Sequence, residues 1–380
     1  MRRFILAALA LSIVPLAMPL ASYGATPVKV SVHDRTEGNL IPKEIYGQFA
    51  EHVGRCVYDG IWVGKNSPIP NIDGYRTDIV EALKLLKVPV LRWPGGCFGD
   101  EYYHWMDGIG PQEDRPKTKK ADSTGTVEDN SFGTHEFMRL CEMLGCEPYI
   151  SGNVGSGSVE ELAKWVEYMT AREGTLAELR AKNGRKEPWK VKYLGIGNEN
   201  WGCGGEMRPE YYADVYRRYA TYCRDYDGNK LFKVAAGASM GLTDDDFSYY
   251  LTKILMSRVG NMMDALSIHY YTLTDWDNMC MDIDFDDDYY YAIVGKAAKT
   301  EEFLEGNERI MDFYDPERKI AIFFDEWGTW YSRGGRELQQ NTMRDAMVAA
   351  ISLNIFHAHT DRVKMANIAQ RSEEHTSELQ

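Results

Sequence analysis

The sequence has few basic residues relative to its acidic ones. Its 380 residues include 43 Lys and Arg against 57 Asp and Glu, and the formal net charge is −14. Proteins that bind phosphate backbones or anionic membrane surfaces need clustered Lys and Arg. The composition therefore argues against a nucleic-acid or membrane partner and favours a neutral ligand.

Several motifs of enzyme chemistry are also missing. The chain contains no phosphate-binding Gly-x-x-x-x-Gly-Lys loop, no His-Glu-x-x-His, and no Gly-x-Gly-x-x-Gly between the first strand and the first helix. The Gly95–Gly99 segment lacks the spacing of a dinucleotide fingerprint, and we expect no helix after it. We therefore expect no cofactor and no metal.

Cysteine is sparse. None of the seven cysteines forms a Cys-x-x-Cys pair, so the spacing indicates neither a redox motif nor a zinc site. Because the count is odd, at least one must remain unpaired. We predict no disulfide framework.

The N-terminus has the pattern of a signal peptide. Arg2 and Arg3 precede an apolar run from Phe4 to about Leu20, and Ser22 and Gly24 are small residues suited to a cleavage site after Gly24. The run is short and interrupted by proline, so a retained membrane anchor is the weaker interpretation. We expect residues 1–24 to be removed and the protein to be secreted or periplasmic.

The remainder of the chain alternates strand and helix patterns, and 44% of its residues are hydrophobic, enough for a large core. Seven helices separate eight predicted strands, which lie at 45–52, 90–96, 147–153, 192–199, 232–239, 265–271, 319–327 and 362–369. Such alternation indicates a parallel sheet. Eight units favour a closed (β/α)8 TIM barrel over a doubly wound sheet.

Two of these strands end in the same way. The apolar runs from Tyr193 and from Ile320 each reach a glutamate followed closely by a Trp, at Glu199 and at Glu326. Barrels place their chemistry at the C-terminal ends of the strands. Cleavage of an acetal needs a proton donor and a nucleophile or activated water, which two carboxyl groups supply. Either glutamate alone could be structural, but the shared pattern favours catalysis.

Five segments in order resemble the α-L-arabinofuranosidases of glycoside hydrolase family 51. They are IYGQFAEHVGRCVYDGIWVG (45–64), LRWPGGCFGDEYYHW (91–105), YLGIGNENWG (193–202), SIHYYT (267–272) and FFDEWGTWY (323–331). The resemblance implies a retaining, exo-acting hydrolase that releases terminal arabinofuranosyl residues from arabinan, arabinoxylan or arabino-oligosaccharides. Two alternatives remain open: another clan A retaining glycosidase, such as an endo-β-glucanase or xylanase, and a non-catalytic carbohydrate-binding fragment.

Residue by residue, the resemblance makes Glu199 the general acid/base and Glu326 the nucleophile. It gives substrate-binding roles to Glu51, Arg92, Cys97, Asn198, Tyr271 and Gln370. Asn198 would bond the sugar 2-hydroxyl, and Tyr271 would orient the nucleophile, because strand alternation turns Tyr270 away from the barrel interior. Arg92 would keep Glu326 ionised. Cys97 departs from the family, which often has Asn there, and a thiol is a poor hydrogen-bond donor.

The same resemblance divides the chain. The barrel would span 45–370 and be incomplete after the eighth strand, and residues 25–44 would form a strand segment that pairs with the family's C-terminal β-sandwich, missing from this sequence. Residues 371–380 resemble a translated sequencing adapter, so we interpret them as a non-native tail. A longer parent protein could form homo-oligomers. We predict that the polar loop 107–130 is a rim of the substrate pocket.

Overall fold

A computed structural model describes residues 38–120, 126–240, 245–274, 280–331 and 339–369. The predicted signal peptide, residues 25–37 of the predicted N-terminal strand segment, Gln370 and the tail at 371–380 lie outside these ranges. From Asn39 onward the chain forms one compact unit. No helix among the described residues is both long enough and apolar enough to cross a membrane.

Eight parallel strands close into a barrel, as the sequence predicted. They are β1 (Gly47–Phe49), β2 (Val90–Trp93), β3 (Glu147–Gly152), β4 (Tyr193–Ile196), β5 (Phe232–Met240), β6 (Ala265–Thr272), β7 (Ala321–Thr329) and β8 (Val363–Ala369). The short strand β1 pairs with both β2 and β8, and Gly47 lies opposite Asn367. The first and last strands therefore complete the ring.

Helices surround the barrel. They are α1 (Thr77–Leu86), α2 (Gly96–Glu101), α3 (Thr134–Leu144), α4 (Val159–Thr170), α5 (Thr175–Lys182), α6 (Pro209–Tyr222), α7 (Asp245–Val259), α8 (Asp287–Ala297), α9 (Lys299–Tyr314) and α10 (Met343–Ala358). One helix start and one helix end are explained by the residue types at those positions. The Ser158 hydroxyl accepts a hydrogen bond from the Glu161 amide at the start of α4, and α3 ends at Gly145, which has a φ of 70°.

Three helices differ from the sequence-based prediction. We expected no helix after the Gly95–Gly99 segment, and α2 begins inside that segment at Gly96. It was missed because six residues are too few to show a helical period. The helix α5 buries only Ala177 and Arg180, so it has no apolar stripe to detect. Between β6 and β7, where one helix was predicted, the structure has two, α8 and α9, which meet at Ala298, where neither Gly nor Pro marks the break.

The barrel interior changes character along its axis. At its N-terminal end it is filled by apolar and aromatic side chains, among which Phe323 stacks on Phe232 with ring centroids 5.2 Å apart. Two residues further along, several of these strands have polar residues at the buried positions: Arg92 follows Val90, and Asp325 follows Phe323. This change places the charged groups of the barrel interior, such as Arg92 and Asp325, towards its C-terminal end.

The polar loop after α2 packs against that end. A hairpin of Thr118–Lys119 and Val127–Glu128 brings Lys120 and Glu128 to the first strand–helix loop, and both side chains are buried. Lys120 donates to the His52 carbonyl at 3.1 Å, and the Glu128 carboxylate lies 3.0 Å from His52 Nδ1. The described part of this loop therefore packs against the first strand–helix loop, and its role as a rim of the substrate pocket stays a prediction.

Candidate active site

The two predicted glutamates meet at the mouth of the barrel. Glu199 follows β4 at a φ of 41°, Glu326 lies in β7, and both side chains are buried. One carboxylate oxygen of each lies within 4.8 Å of the other. His269 of β6 lies between them, with its Nδ1 2.9 Å from Glu199 Oε1 and 3.5 Å from Glu326 Oε2. The pair therefore shares one small polar space.

Glu199 is placed to carry a proton. Burial raises its pKa, and the negative charge of Glu326 raises it further, while the hydrogen bond and charge of His269 lower it. Because burial is the largest of these effects, the pKa lies above the ordinary value for a glutamate. The Glu199 carboxyl thus stays protonated to a higher pH than an exposed one.

Glu326 is held by two donors. Arg92 Nη1 donates to Oε2 at 2.9 Å, and the Tyr271 hydroxyl donates to Oε1 at 2.6 Å. The neighbouring Tyr270 points out of the barrel and donates to the Lys296 carbonyl at 3.0 Å, as strand alternation predicted. Both carboxylate oxygens of Glu326 are therefore fixed in orientation.

Arg92 also fixes the amide beside Glu199. Its Nη2 donates to Asn198 Oδ1 at 2.5 Å, and the Asn198 backbone amide donates to Asp100 Oδ2 at 2.7 Å. The Asn198 Nδ2 is buried and has no hydrogen-bond partner within the described part of the chain. Since a buried donor without a partner is costly, this amide is suited to a polar group of a ligand.

Glu51 is a third buried glutamate, and its charge interacts with those of Glu326 and Glu199. It is buried, and its Oε1 accepts a hydrogen bond from the Phe98 amide at 3.2 Å. Burial and then the charge of Glu326 raise the pKa of Glu51 to about 8, so near neutral pH it holds a proton that it can donate. The predicted sugar contact at Gln370 lies outside the described residues.

Cys97 differs from its predicted role. The structure joins Cys97 to Cys203 in a disulfide, whereas the sequence predicted no disulfide framework; the other five cysteines form no disulfide. A disulfide sulfur has no proton, so Cys97 donates no hydrogen bond to a ligand in this state. Spacing could not show the pairing, because the two residues are 106 positions apart and meet only when the barrel closes.

Three buried residues complete the site and had no predicted role: Asp325, Ser267 and Tyr149. Asp325 Oδ1 accepts from the Ser267 hydroxyl at 2.5 Å, and Oδ2 accepts from the Tyr149 hydroxyl at 2.6 Å. Burial opposes ionisation of Asp325, but the charge of Arg92 and the contact with His269 lower its pKa to about 2. This carboxylate is therefore a permanent negative charge below the two glutamates.

His269 connects that charge to Glu199. Its Nε2 lies 3.2 Å from Asp325 Oδ1, and its Nδ1 faces Glu199. Burial disfavours the imidazolium, but the charge of Glu326 and the hydrogen bonds with Asp325 and Glu199 together raise the pKa of His269 to about 10. Glu199, His269 and Glu326 have spacing that could suit a metal ion. As an imidazolium, His269 donates from Nδ1 to Glu199 and from Nε2 to Asp325.

A parallel eight-stranded barrel whose fourth and seventh strands deliver adjacent glutamates has the architecture of a retaining glycoside hydrolase. Family models identify which one. The model for the α-L-arabinofuranosidase 1 domain matches residues 82–288, and the model for the α-L-arabinofuranosidase C-terminal domain matches residues 325–372. The chain belongs to the α-L-arabinofuranosidases of glycoside hydrolase family 51.

Individual relatives of this chain carry the same family description. The chain is 62% identical over 348 residues to the intracellular exo-α-L-arabinofuranosidase of Bacteroides ovatus, covering 90% of this chain and 66% of the relative. It is 36% identical over 359 residues to α-L-arabinofuranosidase C of Emericella nidulans, covering 90% and 68%. The chain thus spans about two thirds of the length of these relatives.

Solved structures that match this chain are also α-L-arabinofuranosidases. The family 51 arabinofuranosidase of Xanthomonas axonopodis pv. citri matches with a TM-score of 0.84 and 47% identity, over 88% of this chain and 68% of that one. The α-L-arabinofuranosidase of Thermotoga maritima, solved as an arabinose complex, matches with a TM-score of 0.75 and 35% identity, over 86% and 64%.

One expectation is contradicted by these comparisons. The N-terminal pattern predicted a secreted or periplasmic protein, but the Bacteroides ovatus relative is named an intracellular enzyme. The prediction of secretion is therefore wrong on this comparison. Charge and apolar length near the N-terminus were its only basis, and those residues lie outside the described part of the chain.

Proposed function

We propose that the protein is a retaining, exo-acting α-L-arabinofuranosidase. The observation that carries the proposal is the distance of at most 4.8 Å between an oxygen of Glu199 and one of Glu326. Retaining glycosidases hold their two carboxyl groups about 5–5.5 Å apart, whereas inverting enzymes separate them by about 6.5–9.5 Å to admit a water. The close pair favours direct attack by one carboxylate on the sugar.

The roles follow from the environments of the two groups. Glu326 attacks the anomeric carbon, while Glu199 gives its proton to the departing glycosidic oxygen and the bond to that oxygen breaks. A glycosyl ester on Glu326 results. Glu199, now a carboxylate, takes a proton from a water that attacks the anomeric carbon, and Glu326 is released.

The surrounding residues bind the sugar and hold the nucleophile. Asn198 Nδ2 donates to the 2-hydroxyl, where hydrogen bonds strengthen in the transition state. Glu51 bonds other furanose hydroxyls, while Arg92 and Tyr271 orient Glu326. By resemblance, Gln370 supplies a further sugar contact. We retain 45–370 as the extent of the barrel that performs this chemistry. Of the predicted N-terminal strand segment 25–44, residues 39–44 belong to the same compact unit as the barrel, and a short 3₁₀ helix spans Lys43–Tyr46.

The proposed substrates are arabinose-containing oligosaccharides and the terminal arabinofuranosyl residues of arabinan or arabinoxylan. Because the Bacteroides ovatus relative is named intracellular, we place this enzyme inside the cell, where short oligosaccharides are the accessible substrates. The acidic composition suits such neutral substrates.

Hydrolysis of an aryl α-L-arabinofuranoside tests the proposal. The wild-type protein should cleave it, and Glu326→Ala and Glu199→Ala should each reduce kcat by at least about a hundredfold. Glu160→Gln, which changes an exposed glutamate on α4, is the matched control and should keep the wild-type rate. Wild-type rates in both active-site variants would overturn the site. A preference for aryl glucosides or xylosides would instead favour the other clan A activities.

A further inference from the structure

The disulfide joins two segments that carry active-site residues. Cys97 lies in α2, directly before Phe98, whose amide donates to Glu51. Cys203 lies in the loop that begins at Glu199, and its sulfur is 4.0 Å from Glu199 Oε2. The Cα atoms of the two cysteines are 5.4 Å apart. The redox state of this pair therefore changes the surroundings of Glu199.

A carboxylate completes a set of metal ligands at this place. One oxygen of Glu101, at the end of α2, and the sulfurs of Cys97 and Cys203 all lie within 4.8 Å of one another. All three residues are partly exposed, so an ion from solvent can reach them. Two thiolates and a carboxylate are ligands that Zn²⁺ accepts in tetrahedral sites, where a water or a further side chain takes the fourth position.

The geometry should survive cleavage of the disulfide. Asp100 of α2 accepts hydrogen bonds from the Asn198 amide at 2.7 Å and from Asn200 Nδ2 at 2.9 Å. These bonds tie α2 to the loop after β4 independently of the two sulfurs. The reduced cysteines therefore stay close to each other and to Glu101.

We propose that reduction of the Cys97–Cys203 disulfide creates an inhibitory Zn²⁺ site formed by Cys97, Cys203 and Glu101. The inhibition rests on the function proposed above, whereas the binding of the metal does not. Glu199 Oε2 lies 4.0 Å from the Cys203 sulfur, so an ion bound to that sulfur has this carboxylate within reach as a fourth ligand and occupies the space beside it that the leaving oxygen needs.

Reduction proceeds by thiol–disulfide exchange with an external dithiol. A thiolate of the dithiol attacks one sulfur of the bridge, the S–S bond breaks, and a mixed disulfide forms. The second thiol of the reagent displaces the protein sulfur, so the reagent becomes a cyclic disulfide. Its two electrons reside on Cys97 and Cys203, which take up two protons. Zn²⁺ then displaces these protons when it binds the thiolates. A reducing intracellular compartment favours the dithiol form.

Metal binding can be measured without any substrate. The full chain is reduced with dithiothreitol, desalted under anaerobic conditions and titrated with Zn²⁺ against a chromophoric chelator, and Co²⁺ is used to detect thiolate-to-metal charge transfer. We expect one Zn²⁺ per reduced chain and none at this site in the oxidised protein. Equal binding by the two forms contradicts the proposal.

Variants distinguish this site from other thiols. Cys203→Ser should abolish the binding, and Glu101→Gln should weaken it by at least about tenfold while leaving the fold, followed by circular dichroism, unchanged. Cys146→Ser is the control, because Cys146 is partly exposed and free but lies outside the proposed site. Loss of binding only in Cys146→Ser would assign the metal elsewhere and overturn the proposal.

Activity provides the second readout. Zn²⁺ should inhibit the reduced enzyme and spare the oxidised one, EDTA should restore the rate, and Glu101→Gln should need at least about tenfold more Zn²⁺ for half inhibition. Inhibition equal in both redox forms would contradict the proposal. If metal-free oxidised protein shows no hydrolysis at all, the proposed function fails, while the metal titration still decides the site.

Discussion

At the scale of residues, His269 is the side chain that connects the charges of the site. It faces Glu199 through Nδ1 and Asp325 through Nε2, and its pKa is raised to about 10. The imidazolium therefore persists through the neutral range. Its positive charge stabilises the ionised form of Glu199 and opposes the effect of burial on the pKa of that carboxyl.

His269→Gln should shift the pH dependence of hydrolysis. Without the cation, the pKa of Glu199 rises further, so the alkaline limb of kcat/KM, which reports loss of the Glu199 proton, should move to higher pH. The measurement is a pH profile with an aryl α-L-arabinofuranoside. His135→Gln, which alters a partly buried histidine on α3, is the control and should leave the limb in place. An alkaline limb that moves to lower pH in His269→Gln contradicts this account.

The sequence identified part of this site for clear reasons. Apolar runs that end on Glu199 and Glu326 are local patterns, and Arg92, Asn198 and Tyr271 were assigned by resemblance to matching segments. Asp325 was not found, because strict alternation allows only one of two adjacent residues to face the barrel interior. The pairing of β7 with β8 is irregular between Phe324 and Trp327, which lets both Asp325 and Glu326 contact the site.

At the scale of elements, the turn from β2 into α2 controls the position of Glu51. Gly96 has a φ of 50°, and a Cβ there would lie 1.8 Å from Glu51 Oε1. Gly95 has a φ of 54° and a Cβ would lie 1.7 Å from the ring of Phe49. Only glycine allows this backbone and this close approach.

Gly96→Ala should therefore displace Glu51 and raise KM for the aryl arabinofuranoside by about tenfold or more, since a sugar contact worth over 1 kcal/mol is lost. Steady-state kinetics measures the effect. Gly99→Ala in the same helix is the matched control, because its Cβ would come no closer than 3.7 Å to another atom. An unchanged KM in Gly96→Ala would show that Glu51 does not bind the sugar.

The start of α4 supplies a stability test. The Ser158 hydroxyl accepts the Glu161 amide at 3.2 Å, so Ser158→Ala leaves an unpaired amide at the helix N-terminus. We expect a loss of about 1 kcal/mol in the free energy of unfolding, with kcat unchanged. Urea denaturation followed by circular dichroism measures it, and a stability equal to that of the wild type would contradict the role of the cap.

Helices and strands could be predicted from the sequence where neighbouring residues define their ends or their apolar pattern. The Ser158 cap and the Gly145 stop follow from the residue types at those positions, and the apolar strands were predicted from their runs. The short α2, the largely polar α5 and the break between α8 and α9 were missed because packing against neighbours, rather than propensity, defines them. The Cys97–Cys203 disulfide was also missed, because the two cysteines come together only in the closed barrel.

At the scale of the whole molecule, a buried ion pair ties the last strand to the segment before β7. Arg362, just before β8, is fully buried; its Nη1 donates to Asp315 Oδ2 at 2.9 Å and to the Ile320 carbonyl at 2.8 Å. The Asp315 carboxylate also accepts the Ile320 amide at 2.8 Å. The pair lies at the N-terminal end of the barrel, away from the glutamates.

Arg362→Ala should destabilise the barrel strongly, because the buried Asp315 carboxylate loses its cation. We expect a loss of about 3–5 kcal/mol in the free energy of unfolding, measured from the urea midpoint. Arg309→Ala removes an exposed pair with Glu305 on α9 and should change stability by less than about 0.5 kcal/mol. Similar midpoints for the two variants would contradict a structural role for the buried pair.

The order of eight strand–helix units was enough to predict the barrel, because parallel neighbours with short connections leave few topologies. The ion pair at Arg362 was not predictable, since its partners are 42–47 residues away and meet only in the folded ring. The cellular compartment, secreted or periplasmic, was predicted wrongly. That prediction used only the N-terminal pattern, which is independent of how the barrel folds.

The most direct test of the central claim is intact-protein mass spectrometry of Glu199→Ala incubated with an aryl α-L-arabinofuranoside that has a good leaving group. Such a substrate needs no proton donor, so the first step proceeds while the second slows, and the intermediate accumulates. We predict an increase by the mass of one arabinosyl group, located by peptide mapping on Glu326. Absence of that adduct, with an inverted product detected by NMR, would contradict the assignment of Glu326 as nucleophile.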